Sequence, residues 1–225
     1  MQEIEEVLTS FLPFWEQLDQ RQRNTLIGGT RRAQFERGAH IHNGEADCIG
    51  VLLVTSGELR AYMLSTSGRE CTLFRVGAGE SCVLAATCVL QMITFDLFLD
   101  AETDTQLYAI DSDVYAKVIE GNAFAEVFTY RQTADRFSDV MWVMHQQLFM
   151  GLDGRLSVFL LDEIARSKSD VLTLTHDEIA RHIGSAREAV SRMLKDFAQR
   201  GIVVLSRGQV EVIDKAALRS MADVG

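Results

Sequence analysis

Between residues 187 and 192 the sequence reads Arg187-Glu188-Ala189-Val190-Ser191-Arg192. On a helix, Arg187, Glu188, Ser191 and Arg192 share one face near its start. An arginine can chelate O6 and N7 of guanine, and a glutamate can accept from N4 of cytosine. This face therefore has the chemistry to read base edges, and the neighbouring Arg and Glu side chains can orient each other. The plainer alternative is a solvated helix with ordinary Arg/Glu pairing. Charge favours the first reading. From Arg181 to Arg207 there are six basic residues (Arg181, Arg187, Arg192, Lys195, Arg200, Arg207) against Glu188 and Asp196, in a chain whose net charge is −10. A small basic island on an acidic body suits a sited, orientation-specific contact and excludes a general coating of nucleic acid.

The elements that must position this face can be read from the flanking residues. Thr175 caps a helix, and Glu178 three residues later completes a capping box. Ile179, Ala180 and Ile183 give that helix an inner face, Gly184 allows a sharp turn, and Ser185 is the expected cap of a second helix. The inner face of the second helix is Val190, Leu194 and Phe197. Two helices joined by a short glycine-containing turn make a helix-turn-helix, whose second helix enters a major groove with its N-terminal residues towards the bases. The runs Ile202 to Ser206 and Gln209 to Ile213 flank Arg207-Gly208 and predict a hairpin. Upstream, Gly151-Leu152-Asp153-Gly154 marks a domain boundary and hinge, with Asp153 the expected cap of a helix over 154–167.

From Asp113 to about Met150 the period is helical. Val127, Tyr130, Ala134, Phe137, Met141, Met144 and Leu148 recur at alternating intervals of three and four residues. That is the seam of a coiled coil and predicts self-association through this helix. The Met141-to-Met144 run, apolar in all directions, predicts cover on more than one side, and Phe124 and Phe128 are expected to pack off the seam on the preceding domain. From about Arg31 to Ser112, short apolar runs (49–54, 59–63, 72–76, 95–99 and 107–110) alternate with turn signals at Gly38, Gly44, Gly57, Gly68 and Gly77-Ala78-Gly79. This pattern predicts a β-sandwich or barrel. Residues 1–30 read as two short helices interrupted by Pro13.

The 225 residues, 47% hydrophobic and 24% charged, suffice for one large domain or two modest ones, with a real core. No apolar run approaches the length of a membrane span. Glu3, Glu5 and Glu6 are wrong for a signal or transit peptide, so a cytoplasmic location with reduced cysteines is expected. No nucleophile elbow, phosphate loop or dinucleotide fingerprint is present, and an enzyme is not expected.

Over almost its full length the chain resembles the Crp/Fnr family of bacterial transcription regulators. The resemblance runs through Phe35, Gly38, Ile41, Gly44 and Glu45, then Leu53, Gly57, Glu58, Leu59 and Arg60, then Gly77, Gly79 and Glu80. It ends with Arg187-Glu188, Val190-Ser191-Arg192 and the hairpin. It implies an α+β fold: an N-terminal double-stranded β-helix (jelly-roll-like, cyclic-nucleotide-binding-like) sensor domain over 1–118, a dimerisation helix over 119–150 and a winged helix-turn-helix DNA-binding domain over 151–225. It also implies a homodimer on double-stranded DNA, an inverted repeat of TTGA- or TGTGA-like half-sites, and RNA polymerase as a further partner of an activator. The candidate DNA-contacting residues are Thr175, Ser185, Arg187, Glu188, Ser191, Arg192 and Lys195.

The chain departs from the family where the cyclic AMP branch binds its ligand. The aligned stretch, residues 81–95, contains no arginine and no acid, and burying a phosphate without a cation is costly. Cyclic AMP is therefore not expected. Nor is the N-terminal iron–sulfur cluster, because no cysteine precedes Cys48. Ser81, Cys82, Leu84, Cys88 and Thr94 are the candidate lining of an apolar effector pocket, suited to a small-molecule, gaseous or redox signal. Cys82 and Cys88 are open to two readings: buried small hydrophobes, or a redox pair or thiolate ligands to haem or a metal. His40, His42 and Glu45 faintly resemble the cupin metal motif, with both histidines expected on one strand face, but the partner motif has no match. The alternative to a DNA-binding regulator is a ligand- or redox-sensing module whose helix-turn-helix serves protein partners.

Overall fold

The computed structural model describes residues 2–43, 49–83 and 96–223. These form two compact units, Met1–Tyr62 with Leu73–Asp139, and Met63–Thr72 with Val140–Gly225. Among the described residues no helix is long and apolar enough to cross a membrane.

The first unit opens with helix α1 (Gln2–Phe11), a single 3-10 turn (Trp15–Gln17) and α2 (Gln20–Gly28). Pro13 cannot continue α1. Asp19 and Gln22 form a reciprocal capping box that starts α2. Among the described residues eight strands follow: β1 (Thr30–Phe35), β2 (His40–Asn43), β3 (Val51–Ser56), β4 (Glu58–Leu64), β5 (Glu70–Gly77), β6 (Ser81–Cys82), β7 (Phe98–Ala101) and β8 (Thr105–Ile110). They make two four-stranded sheets, ordered β1-β8-β3-β6 and β2-β7-β4-β5. Strand β3 is buried over Val51, Leu52, Leu53 and Val54 because both its faces are covered. Val51 and Leu53 pack with Leu8, Leu12, Leu26, Tyr115 and Val118 of the helices, while Leu52 and Val54 alternate to the opposite face.

Two sequence expectations need correction. The polar strand β1, Thr-Arg-Arg-Ala-Gln-Phe, is not among the predicted runs; six residue pairs with β8 hold it in place. His40 and His42 do not share a face. The register slips between them, with His40 opposite Asp100 and His42 opposite Leu99, so His40 is exposed and His42 buried. His40 Nδ1 lies 2.7 Å from Asp100 Oδ1, and buried Arg60 and Tyr62 approach the same carboxylate. Asp100 thus ties three strands together, and Glu45 lies outside the described residues. Among the described residues no cluster of three or more His, Cys, Asp or Glu side chains is arranged to hold a metal.

The helical period after Asp113 is broken at Gly121-Asn122 into α3 (Ser112–Glu120) and α4 (Ala123–Phe149). Asn122 Oδ1 accepts from the amides of Phe124 and Ala125 and so starts α4. Tyr115 donates or accepts at 3.0 Å with Thr129 and joins the two helices; burial pushes its phenol up to about 12, so it stays neutral. Phe128 packs on Phe14 as expected, with ring centroids 5.4 Å apart. Phe124 does not pack: it is exposed, because it lies one turn before Phe128 at the helix end. Helix α4 contributes Ala123–Asp139 to the first unit and Val140–Phe149 to the second.

The second unit continues with α5 (Leu152–Ser167), β9 (Val171–Leu172), α6 (His176–Ile183), α7 (Arg187–Gln199), β10 (Val203–Ser206), β11 (Gln209–Val212) and α8 (Lys215–Ala222). Asp153 is not the cap of α5. Gly151, extended at φ −63° and ψ 168°, takes that position, and Asp153 lies in the first turn, where its charge faces the helix N-terminus. The predicted hairpin is present as β10 and β11, and the short strand β9 extends it to three strands in the order β10-β11-β9.

Gly50 and Gly28 offer a contrast for testing the first unit. Gly50 has φ +89°, and a Cβ there would land on the Ile110 carbonyl oxygen; Gly28 ends α2 with nothing within 4 Å. Gly50→Ala should therefore destabilise the fold by at least the roughly 1–3 kcal/mol of a strained backbone, and so lower the melting midpoint. Gly28→Ala should leave it unchanged or raise it slightly. Equal effects in thermal melts contradict the placement of Gly50.

Candidate nucleic-acid interface

The interface is built from α6, its turn and α7. Thr175 Oγ1 accepts from the Glu178 amide at 3.2 Å, and the Glu178 carboxylate accepts from the Thr175 amide at 2.8 Å, so the capping box is present as expected. At the other end Gly184 adopts φ +65°, a conformation that suits glycine. The amides of Gly184 and Ser185 both donate to the Ala180 carbonyl, which closes α6 with a left-handed (αL) glycine cap. This overturns the expected role of Ser185. Its backbone is spent on ending α6, and the N-cap of α7 is Ala186, with no side-chain cap.

A 13-residue helix without a side-chain cap is marginal alone. Its stability comes from the inner face. Val190, Leu194 and Phe197 are fully buried, in one core with Ile179, Ile183, Leu156, Leu160, Val203 and Leu218. At about 1.5–3 kcal/mol for each large side chain, these three outweigh a missing cap worth about 1 kcal/mol. The opposite face is then left to solvent. Arg187, Glu188, Arg192 and Lys195 are exposed and Ser191 is half-buried. The Arg187–Glu188 pairing allowed by sequence is not formed: among the described residues, no ion pair within 4 Å engages Arg187, Glu188, Arg192 or Lys195. Thr175 is exposed, with its hydroxyl engaged in the capping box. The tip of the β10–β11 hairpin carries Arg207, with Gly208 at φ +71°.

Residue type and spacing alone do not single out His176. It occupies the first position of α6, immediately after the Thr175 cap, which is the signal that could have found it. Burial pushes its imidazole below the ordinary value, and the positive charges of Arg187 and Lys195 push it the same way. Arg187 and Lys195 thus act on the N-terminus of α6, whose first turn also carries Asp177 and Glu178.

All seven predicted seam residues of α4 are exposed in the single chain; Tyr130, Phe137 and Leu148 are 57%, 64% and 61% exposed. Within the Met141-to-Met144 run, Trp142 is also exposed rather than covered. The inward face of the same helix is separate: Ala125 and Thr129 are buried, and Gln132 accepts from Ser81 Oγ at 3.3 Å. Of the predicted effector-pocket residues, Ser81 and Cys82 are buried and pair with Leu53 and Leu52. Leu84, Cys88 and Thr94 lie outside the described residues, as does Cys48. Cys71 and Cys82 are free thiols.

A Crp-like helix-turn-helix domain matches residues 154–221. The crystal structure of a Crp/Fnr-family chain from Eubacterium rectale superposes with a TM-score of 0.89. It is 38% identical, covering 95% of this chain and 99% of that one. The cyclic AMP receptor protein of Thermus thermophilus is 28% identical over 170 residues, 76% of this chain and 78% of its own. A global nitrogen regulator from Synechococcus elongatus is 26% identical over 195 residues, 82% of this chain and 86% of its own. These relatives are regulators rather than enzymes.

The depressed imidazole has a sign that can be tested. Below its ordinary pKa of 6.5 the unfolded chain binds a proton at His176 that the folded chain resists. Its contribution to stability is therefore complete above about pH 6.5 and is lost as pH falls towards the lowered folded value. An NMR titration of His176 should give a pKa below 6.5, and Arg187→Gln or Lys195→Gln should raise it. A value at or above 6.5 that neither variant moves contradicts the described cluster.

Proposed function

The chain belongs to the Crp/Fnr family of transcription regulators, and we propose that it acts as a homodimer reading an inverted repeat under the control of an effector other than cyclic AMP. The observation that carries this reading is the uncommitted polar face of α7. Arg187, Glu188 and Arg192 are exposed and, among the described residues, free of ion pairs, on a helix whose other side is locked into the core. Arg187 and Arg192 chelate guanines, Glu188 accepts from cytosine, and Ser191 lies between them. Lys195 supplies positive charge near a phosphate, His176 in its neutral form can donate a hydrogen bond there, and Arg207 places the wing tip on the backbone. Thr175 and Ser185 frame the turn through their backbone and capping contacts. The half-sites expected of this face are TTGA- or TGTGA-like.

The exposed seam supports the dimer. Val127, Tyr130, Ala134, Phe137, Met141, Met144 and Leu148 present a continuous apolar row to solvent, larger than scattered surface residues require. A second copy packed on the same row produces a two-fold axis parallel to the seam, which matches an inverted repeat. The effector enters the β-roll, the pair of four-stranded sheets in the first unit. The stretch from Ser81 to Phe95 offers it no cation, so a phosphate-bearing nucleotide lacks its partner charge there. A small apolar, gaseous or redox signal suits Ser81, Cys82, Leu84, Cys88 and Thr94 better. Such a signal acts only by binding two states of the dimer with different free energies.

Arg192→Ala tests the base-reading role. Affinity for the preferred duplex should fall by about 1–3 kcal/mol, and preference should relax at one base pair of each half-site. Competition binding with single-base variants of the site checks this. An equal loss on every sequence contradicts base reading and makes Arg192 a phosphate contact.

A further inference from the structure

The apolar row of α4 is flanked on both sides. Position 126 precedes Val127, and position 131 follows Tyr130. The next flanking pairs are 133 with 138 and 140 with 145. Of these six positions, Glu126 and Arg131 carry the fixed charges, one of each sign. Thr133 and Ser138 carry hydroxyls that donate within the helix, to the Thr129 carbonyl at 2.8 Å and the Ala134 carbonyl at 3.1 Å.

Both charges are exposed, and the chain itself does not use them. Among the described residues no ion pair within 4 Å and no side-chain hydrogen bond engages the Glu126 carboxylate or the Arg131 guanidinium. Arg131 stands one turn before Asp135, at the spacing of a helical ion pair, yet the two are not paired. Arg136, by contrast, is held by Glu80 at 3.3 Å and Asp139 at 3.1 Å. Glu126 lies in the first turn of α4, where its charge favours the helix N-terminus without any partner. That accounts for an acid at 126 but not for the arginine five residues on.

When two copies of a helix pack in parallel and in register, a residue just before the seam faces the residue five places later on the other copy. Glu126 of one copy then faces Arg131 of the second, and the two-fold axis makes the contact twice. A slip of one heptad sets Glu126 against Phe124 or Ser138 instead. In an antiparallel pair like flanks meet: 126 faces 126, 133, 140 or 147, none of them a cation, and 131 faces 131, 138 or 145, none of them an acid. We propose that Glu126 and Arg131 are the partner-selecting charges of this chain: two symmetric ion pairs across the seam fix a parallel, in-register pair of identical chains and reject chains without the matching charges. The proposal rests on the homodimer reading above and adds to it which partner is accepted. The apolar row supplies affinity and the charges supply choice, since an exposed ion pair contributes little by itself while a like-charge contact opposes the wrong pairing.

The experiment uses the full chain at low salt, where exposed charges are least screened. Self-association is read as a dimer dissociation constant by sedimentation. Partner choice is read as the fraction of mixed dimers, by native mass spectrometry of two chains that differ in a terminal tag. Glu126→Arg sets arginine against arginine twice, and Arg131→Glu sets acid against acid twice. Each alone should raise the dissociation constant at least about tenfold. Mixed together, the two variants regain both opposite-charge contacts, and mixed dimers should far exceed the statistical half. The chain carrying both substitutions should pair with itself as wild type does, and should mix with wild type well below the statistical half.

A purely helix-terminal role for Glu126 predicts otherwise: Glu126→Arg then stays weak whatever charge its partner carries at 131. If a reversed chain does not fold, Glu126→Gln and Arg131→Gln carry the test. Each should weaken self-association about fivefold, and the two together no more than either alone, because each removes the same two pairs. Unchanged or additive losses overturn the pairing. So do mixed dimers at the statistical half in every combination, while a dimeric wild type leaves the homodimer reading standing. A wild-type chain that stays monomeric overturns that reading and the charge pairing with it.

Discussion

Helix α4 must satisfy two faces at once, and the rest of the architecture depends on that constraint. One face, with Ala125, Phe128, Thr129, Gln132 and Arg136, is committed to the β-roll. Arg136 alone reaches Glu80 at 3.3 Å and Asp139 at 3.1 Å, and lies 5.0 Å from the Phe74 ring centre. The other face carries the apolar seam, for which its own chain provides no cover among the described residues. A helix apolar on two sides is buried on two sides. We assign the second cover to another copy of the same helix. In the proposed dimer a single helix serves the N-terminal domain through one face and a partner copy through the other.

The helix-turn-helix is built to leave one surface free. Its α7 helix is held entirely from behind, through Val190, Leu194 and Phe197, so none of its outward groups is needed for folding. Paired surface charges contribute little to stability, and among the described residues these outward charges form no ion pair at all. Water solvates them in the free protein, so a ligand need break no ion pair to engage them. Nucleic acid supplies both the acceptors on guanine and the donor on cytosine.

Local features of the fold were legible in the sequence, and long-range ones were not. The Thr175–Glu178 capping box spans four residues and the Arg207-Gly208 hairpin needs only its turn, so both could be read directly. The seam and the inner faces of α6 and α7 follow from periodicity. Ser185 takes a different role from the one its residue type suggests because its amide is claimed by the Ala180 carbonyl, a competition that residue type does not reveal. The polar strand β1 exists because β8 pairs with it, and the slip between His40 and His42 depends on β7. His176 looks like an ordinary first-turn residue until folding brings it near Arg187 and Lys195. Cys71, Gln147, Arg155 and Ile183 meet only after more than a hundred residues of chain have folded between the first and the last.

The proposed dimer, with one seam shared by two copies, would present two α7 helices to one duplex, and the inverted-repeat reading depends on it. Selection of binding sites from a random duplex pool, with purified reduced protein and no added ligand, tests it most directly. The expected result is recovery of an inverted repeat of TTGA- or TGTGA-like half-sites, with centres about one helical turn, roughly 10 base pairs, apart. Recovery of a single half-site without symmetry, or of no enriched sequence with either the reduced or the oxidised protein, contradicts it.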